Sequence, residues 1–96
     1  MIGLKVDFEG GLQTDFKSPQ GISLEVEQGT TLRALAKIVL DRFKPEGATI
    51  RFIDDAGDVL PGILVMINGA DSAIDGFDVT LEDKDEVTYI STLHGG

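Results

Sequence analysis

The chain ends in Gly95-Gly96, directly after Ser91-Thr92-Leu93-His94. Glycine has no Cβ, so such an end is thin enough to enter a narrow enzyme channel, and its last carbonyl is unhindered. A terminal α-carboxyl is ionised at neutral pH and is a poor electrophile, because attack would add charge to an anion. It must therefore be activated before another molecule can attack it. The alternative is a frayed terminus, since chain ends are usually mobile.

Other residue patterns in the chain predict no further chemistry. His94 is the only histidine, and we expect a recognition role for it, because a general base needs a fixed geometry. Three aspartates at 54, 55 and 58 lack the alternating ligands and later glutamate of a calcium loop, which predicts a solvated turn. Gly10-Gly11 is followed by neither a lysine motif nor a predicted helix start, so it does not indicate a phosphate loop. We expect no catalytic residue, metal site or bound cofactor.

Length and composition restrict the classes of protein that fit. Ninety-six residues make one domain. The formal net charge of −9 disfavours direct binding to nucleic acid or to anionic membranes and favours a basic protein partner. There is no cysteine, no apolar run long enough for a membrane helix and no signal-peptide pattern. We expect a cytoplasmic protein, with the nucleus as a second location.

The first half of the chain predicts two strands and one helix. Residues 4–9 and 22–27 alternate between apolar and polar side chains, which is typical of strands with one buried face. Thr30 is the expected N-cap of the helix. The apolar side chains that follow have the spacing of one helix face; they are Leu32, Leu35, Ala36, Val39 and Phe43. Pro45 and Gly47 are expected to end the helix.

The second half predicts shorter pieces. Residues 50–53 indicate a short strand, and the five apolar residues 63–67 indicate a strand that is covered on both faces, or on one face plus a partner. Asn68-Gly69 predicts a tight turn, with a short returning strand at 72–74. Phe77, Val79 and Leu81 are expected core residues, residues 82–85 a solvated turn, and residues 87–92 the last strand.

One amphipathic helix needs one sheet face to cover it. The element order therefore predicts an α+β protein with a mixed sheet of four to five strands packed against one main helix. The last strand lies beside the first, as in a β-grasp (ubiquitin-like) fold. We expect residues 1–92 to form this domain and residues 93–96 to form a flexible reactive tail, which is mature as written.

Three stretches of sequence resemble the ubiquitin-related modifiers, which act as eukaryotic sulfur carriers. Residues 6–12 (VDFEGGL) resemble their first strand and Gly-Gly-Leu turn, and residues 61–68 (PGILVMIN) resemble their central Pro-Gly-Ile-Leu-Val segment. Residues 90–96 (ISTLHGG) resemble the terminal signature. The chain departs from the family at Leu60, where an arginine is usual, and at 71–73, where an aromatic residue is usual. Residues 48–59 match poorly.

The resemblance implies that Gly96 is the reactive residue. An activating enzyme with rhodanese-like sulfurtransferase activity would use ATP to adenylate Gly96 and convert it to a thiocarboxylate. A tRNA thiolation enzyme would pass the sulfur to the wobble uridine, and the same end would also be joined to target-protein lysines through an isopeptide bond. Leu93, His94 and Gly95 would be recognised by the activating enzyme. Leu12, Phe16 and Ile90 are the candidate partner patch.

Two alternatives share the expected fold. One is the small sulfur-carrying subunit of molybdopterin synthase, against which Leu93-His94 argues by resemblance. The other is a ubiquitin-like binding module with no tail chemistry.

Overall fold

The computed structural model describes residues 1–71 and 76–93. Its strands and helices follow the chain in this order: β1 (Ile2–Glu9), α1 (Leu12–Asp15), β2 (Ile22–Val26), α2 (Leu32–Phe43), β3 (Ile63–Ile67), β4 (Ala70–Asp71) and β5 (Glu86–Ser91). The predicted returning strand at 72–74 lies outside these residues, and the strand that pairs with β3 after the turn is β4.

The five strands form one mixed sheet in the order β2-β1-β5-β3-β4. β5 is central: it runs parallel to β1 and antiparallel to β3. The outer pairs are antiparallel, as predicted for β1 and β2. The predicted α+β, β-grasp fold with the last strand beside the first is confirmed.

The main helix buries the predicted face against the sheet. Four of its five predicted apolar residues are buried: Leu32, Leu35, Ala36 and Val39. The predicted cap is wrong by one residue. The Thr31 hydroxyl oxygen accepts a hydrogen bond from the Ala34 amide at 3.2 Å, whereas the Thr30 hydroxyl donates to the Glu27 carbonyl at 2.7 Å. α2 ends just before Pro45, whose ring cannot continue a helix.

A short helix, α1, lies where only a loop was predicted, directly after Gly10-Gly11. One turn of helix has no periodicity that the sequence could reveal. Four aromatic rings, from Phe8, Phe16, Phe52 and Tyr89, pack together near it. Phe8 and Phe16 stack at a centroid distance of 4.3 Å, and Phe52 meets Tyr89 edge to face at 4.8 Å. Aromatic pairs of this kind contribute about 0.5–1.5 kcal/mol beyond their buried area.

The segment at 50–53 is not a strand. A single bridge joins Ile53 to Val59, and the turn between them is confirmed by the Asp54 carboxylate, which accepts hydrogen bonds from the Ala56 and Asp58 amides at 2.9 and 3.0 Å. Phe52 is buried. It is anchored through hydrophobic packing rather than through a strand ladder.

The turn at 82–85 is exposed as predicted but also holds the sheet. The Asp83 carboxylate accepts a hydrogen bond from the Gly3 amide, and the Lys84 amide donates to the Gly3 carbonyl, both at 2.7 Å. Asn68-Gly69 forms the predicted tight turn, with φ of 51° and 85°. Leu81 is buried, while Phe77 and Val79 are half-buried against the core.

Candidate functional site

The three stretches that carry the family resemblance meet at one end of the central strands. β1 and β5 are parallel, so both finish at this end of the sheet, and antiparallel β3 begins there. The register places Glu9 beside Ile90 and Ile63 beside Ser91. The end of β5, which leads into the C-terminal residues, therefore lies between the Gly-Gly turn after β1 and the Pro-Gly pair before β3.

Because residue 10 is glycine, the Gly-Gly turn after β1 can lie very close to the end of β5. Its φ is +71°, and a Cβ built on it would lie 2.1 Å from the carbonyl oxygen of Ser91. Both groups belong to the backbone, so neither can move aside as a side chain could. Only glycine fits this position.

Gly62 contacts the end of β5 from the β3 side. Its carbonyl oxygen accepts hydrogen bonds from the Thr92 amide at 2.8 Å and from the Thr92 hydroxyl at 2.5 Å. Its φ is +96°, and a Cβ there would lie 2.5 Å from Cδ2 of Leu93. We call Gly10, Gly62 and residues 91–93 the tail root.

Leu93 is half-buried and packs against the hydrophobic core. Its amide donates a hydrogen bond to the Ser91 hydroxyl at 3.0 Å. A cleft of about 220 Å³ adjoins its side chain and is also lined by Asp15, Thr49 and Arg51. Leu93, which the resemblance assigns to recognition by the activating enzyme, thus packs against the domain in this structure.

His94, Gly95 and Gly96 lie outside the described residues. The predicted activation and attachment at Gly96, and the recognition of His94 and Gly95, remain predictions. Within residues 1–71 and 76–93, no group of three or more histidine, cysteine, aspartate or glutamate side chains could hold a metal ion. Over the same residues, no helix is long and apolar enough to cross a membrane.

The candidate partner patch is wrong at two of its three residues. Leu12 and Phe16 are 0% and 2% exposed, because α1 folds them onto the aromatic cluster. Ile90 alone lies on the opposite, open face of the sheet and is half-buried. Apolar residues in a loop are either core or contact surface, and the sequence does not distinguish the two.

The sheet face opposite α2 carries a different apolar group. Leu64 is 50% exposed and pairs with Ile90, while Met66 pairs with Thr88. We call Leu64, Met66 and Ile90 the open-face patch. The sequence indicated that β3 is covered on both faces, or on one face plus a partner; in the structure, α2 covers one face and Leu64 is exposed on the other. Leu64, which pairs with Ile90 on this face, is the exposed residue that the sequence analysis missed.

Acidic side chains border this patch on β1. Glu9 lies beside Ile90, and Asp7 lies beside Thr88. They form a negative rim along the β1 side of the patch, and the exposed Lys5 lies further along the same face of β1.

Among the residues that the structure describes, two side chains have clearly displaced pKa values. Hydrogen bonds to Asp78 and Asp58, followed by the charges of those carboxylates, raise the pKa of Arg33, which ties α2 to two loops. Burial raises the pKa of Tyr89, which is fully buried. The Tyr89 hydroxyl has no hydrogen-bond partner among the described residues.

Comparison with known proteins decides the family. The family model described as Urm1 (Ubiquitin related modifier) matches residues 3–96. The chain belongs to the ubiquitin-related modifier family. It is 36% identical over 96 residues to a ubiquitin-related modifier 1 homolog of Dictyostelium discoideum, covering 97% of this chain and 98% of that protein.

Two further ubiquitin-related modifiers support this assignment. Ubiquitin-related modifier 1 of Yarrowia lipolytica is 34% identical over 99 residues, which cover 97% of this chain and 98% of that protein. The solution structure of Urm1 from Trypanosoma brucei superposes with a TM-score of 0.78 at 32% identity, covering 98% and 95% of the two chains. The chain is therefore a member of a family of ubiquitin-like modifiers.

Proposed function

We propose that this protein is a sulfur carrier whose Gly96 is adenylated and thiocarboxylated, supplying sulfur for 2-thiolation of the tRNA wobble uridine. It also modifies target proteins through isopeptide bonds to lysine. It acts in the cytoplasm with an activating enzyme that has rhodanese-like sulfurtransferase activity, and with a tRNA thiolation enzyme. The observation that carries the proposal is the tail root, in which Gly10 and Gly62 hold the end of the central strand that leads into Gly95-Gly96.

The chemistry follows from the nature of a carboxylate. An oxygen of the Gly96 carboxylate attacks the α-phosphorus of ATP, and pyrophosphate leaves. The terminal sulfur of an enzyme persulfide then attacks the acyl carbon, and AMP leaves with the bonding electron pair. A thiol then attacks the enzyme-cysteine sulfur of the resulting acyl disulfide. The S–S bond breaks, the thiocarboxylate leaves on Gly96 with the electron pair, and the enzyme cysteine and the attacking thiol are joined in a disulfide. The carrier supplies only the terminal carboxylate and its presentation, because all activating groups belong to partners.

Mass spectrometry tests this proposal directly. The full-length protein, incubated with the activating enzyme, ATP and a sulfur donor, should gain the mass difference between sulfur and oxygen. A variant lacking Gly96 should keep the folded circular dichroism spectrum but gain no sulfur. Sulfur uptake at the terminus of that variant would contradict the proposal. Stable copurification with a large molybdopterin synthase subunit would instead support the alternative.

The open-face patch is the surface that fits the activating enzyme best. It adjoins the tail root, because Ile90 and Leu64 pair just before β5 ends. Its negative rim favours a partner with an apolar contact surrounded by lysine or arginine, because complementary charge accelerates encounter and suppresses wrong partners. The same rim does not favour a nucleic-acid partner.

A charge placed on the patch tests this surface. Leu64→Asp should raise the KM of the carrier for adenylation by about tenfold or more, because an unpaired charge would have to be desolvated at the interface. Ala34→Asp is the matched control: Ala34 is exposed on α2, on the other side of the sheet. Equal KM values for the two variants would exclude the patch as the docking surface.

A further inference from the structure

We propose that Gly62 is a positioning residue for activation of the tail. Because Gly62 has no side chain, the Leu93 side chain packs directly against its α-carbon, and we call this contact the seat. We infer that the seat fixes the direction in which the chain continues beyond Leu93. The inference rests on the proposed function, since it concerns delivery of Gly96 to the activating enzyme.

Gly62 contacts the tail root through two different groups. Its carbonyl oxygen holds the amide and hydroxyl of Thr92. Its α-carbon faces Leu93 so closely that a Cβ would lie 2.5 Å from Cδ2 and 3.1 Å from Cγ of that side chain, and 3.3 Å from the Thr92 hydroxyl oxygen. A single added methyl group would therefore push the Leu93 side chain away from residue 62 and crowd the Thr92 hydroxyl.

The seat limits how much chain can enter an enzyme channel. Three residues follow Leu93 in the sequence, and fully extended they span at most about 10–11 Å. A short tether restricts the positions that its tip can reach, so a shift of its root shifts that range. Misplacing a reacting group by about 1 Å can cost about a hundredfold in rate, so the direction set at Leu93 should act on the chemical step.

The chain offers a closely matched control for this test. Gly62 and Gly29 both have φ of +96°, but a Cβ on Gly29 would meet nothing within 4 Å. Gly62→Ala and Gly29→Ala therefore impose similar backbone strain, and only Gly62→Ala displaces Leu93. We expect Gly62→Ala to lower kcat for adenylation by about tenfold or more with KM within about twofold. Gly29→Ala should match the wild type in both.

Three kinetic results would overturn the inference: equal kcat for the two variants, a change confined to KM, or a higher kcat for Gly62→Ala. A wild-type protein that is not adenylated at all would instead refute the proposed function. NMR of the free wild-type protein separates the two, because the seat requires nuclear Overhauser effects between the Leu93 methyl groups and the Gly62 α-protons. Their absence would overturn the inference even if Gly62→Ala failed to fold.

Discussion

The carbonyl oxygen of Gly62 accepts two hydrogen bonds from Thr92, one from its amide at 2.8 Å and one from its hydroxyl at 2.5 Å. The two residues are 30 positions apart, and the bonds extend the β3–β5 pairing past Ser91. Beyond the last residue of β5, Thr92 is therefore held by hydrogen bonds to a backbone carbonyl.

Thr92→Val removes the hydroxyl bond and leaves the amide bond. We expect a loss of about 0.5–1 kcal/mol in the free energy of unfolding, since water can satisfy the exposed carbonyl in its place. Urea denaturation measures the loss. Thr92→Ser keeps a hydroxyl and should stay close to the wild type, so an equal loss in both variants would assign the effect to packing.

Gly10→Ala should be far more damaging than its backbone angle alone requires. Strain from a positive φ costs about 1–3 kcal/mol, and the added Cβ would also overlap the Ser91 carbonyl oxygen at 2.1 Å. We expect a total loss above about 3 kcal/mol in the free energy of unfolding. Gly57→Ala is the control, with φ of +89° and nothing within 4 Å of its Cβ. Similar losses for both variants would contradict the close approach.

Truncation of Phe16 and of Leu64 should lower the free energy of unfolding by very different amounts. Phe16→Ala removes a ring from the aromatic cluster and should cost about 3–5 kcal/mol in stability. Leu64→Ala should cost about 1 kcal/mol or less, because half of that side chain is already exposed. Thermal and urea unfolding of both variants measure the difference. A stable Phe16→Ala protein would return that residue to the list of surface candidates.

Tyr89→Phe should be neutral or stabilising by up to about 1 kcal/mol. The buried hydroxyl has no partner among the described residues, so its removal ends a desolvation cost without breaking a hydrogen bond. The ring contacts with Phe8 and Phe52 would remain. A measured loss above about 1 kcal/mol would indicate that the hydroxyl is hydrogen-bonded in solution, for example to a buried water.

The same side chain should make stability depend on pH in the alkaline range. Burial raises the pKa of Tyr89, whereas an unfolded tyrosine ionises near pH 10. The unfolded state therefore loses the tyrosine proton first as pH rises. The free energy of unfolding is unaffected by this group below about pH 10 and declines above it by up to about 1.4 kcal/mol per pH unit. The difference in unfolding free energy between wild type and Tyr89→Phe isolates this effect, since lysine titrations cancel. A difference that stays constant up to about pH 11 would contradict the buried, neutral phenol.

Local patterns were sufficient for much of the fold. The alternation in β1 and the apolar stripe of α2 predicted which side chains are buried, because period two and period 3.6 each place one face toward a core. Asn68-Gly69 predicted its turn because both residues tolerate positive φ. These properties depend on neighbours within a few positions, so the sequence records them directly.

The sequence alone was sufficient to identify the tail motif and the two other signatures. It did not predict how these three segments are arranged in space. Leu12 and Phe16 are core residues because one turn of helix folds them inward, and Leu64 is exposed because α2 lies on the other face of the sheet. Gly10 and Gly62 meet residues 91–93 through strand pairings between segments far apart along the chain. Such contacts follow from the order and register of the sheet, which no short-range pattern encodes.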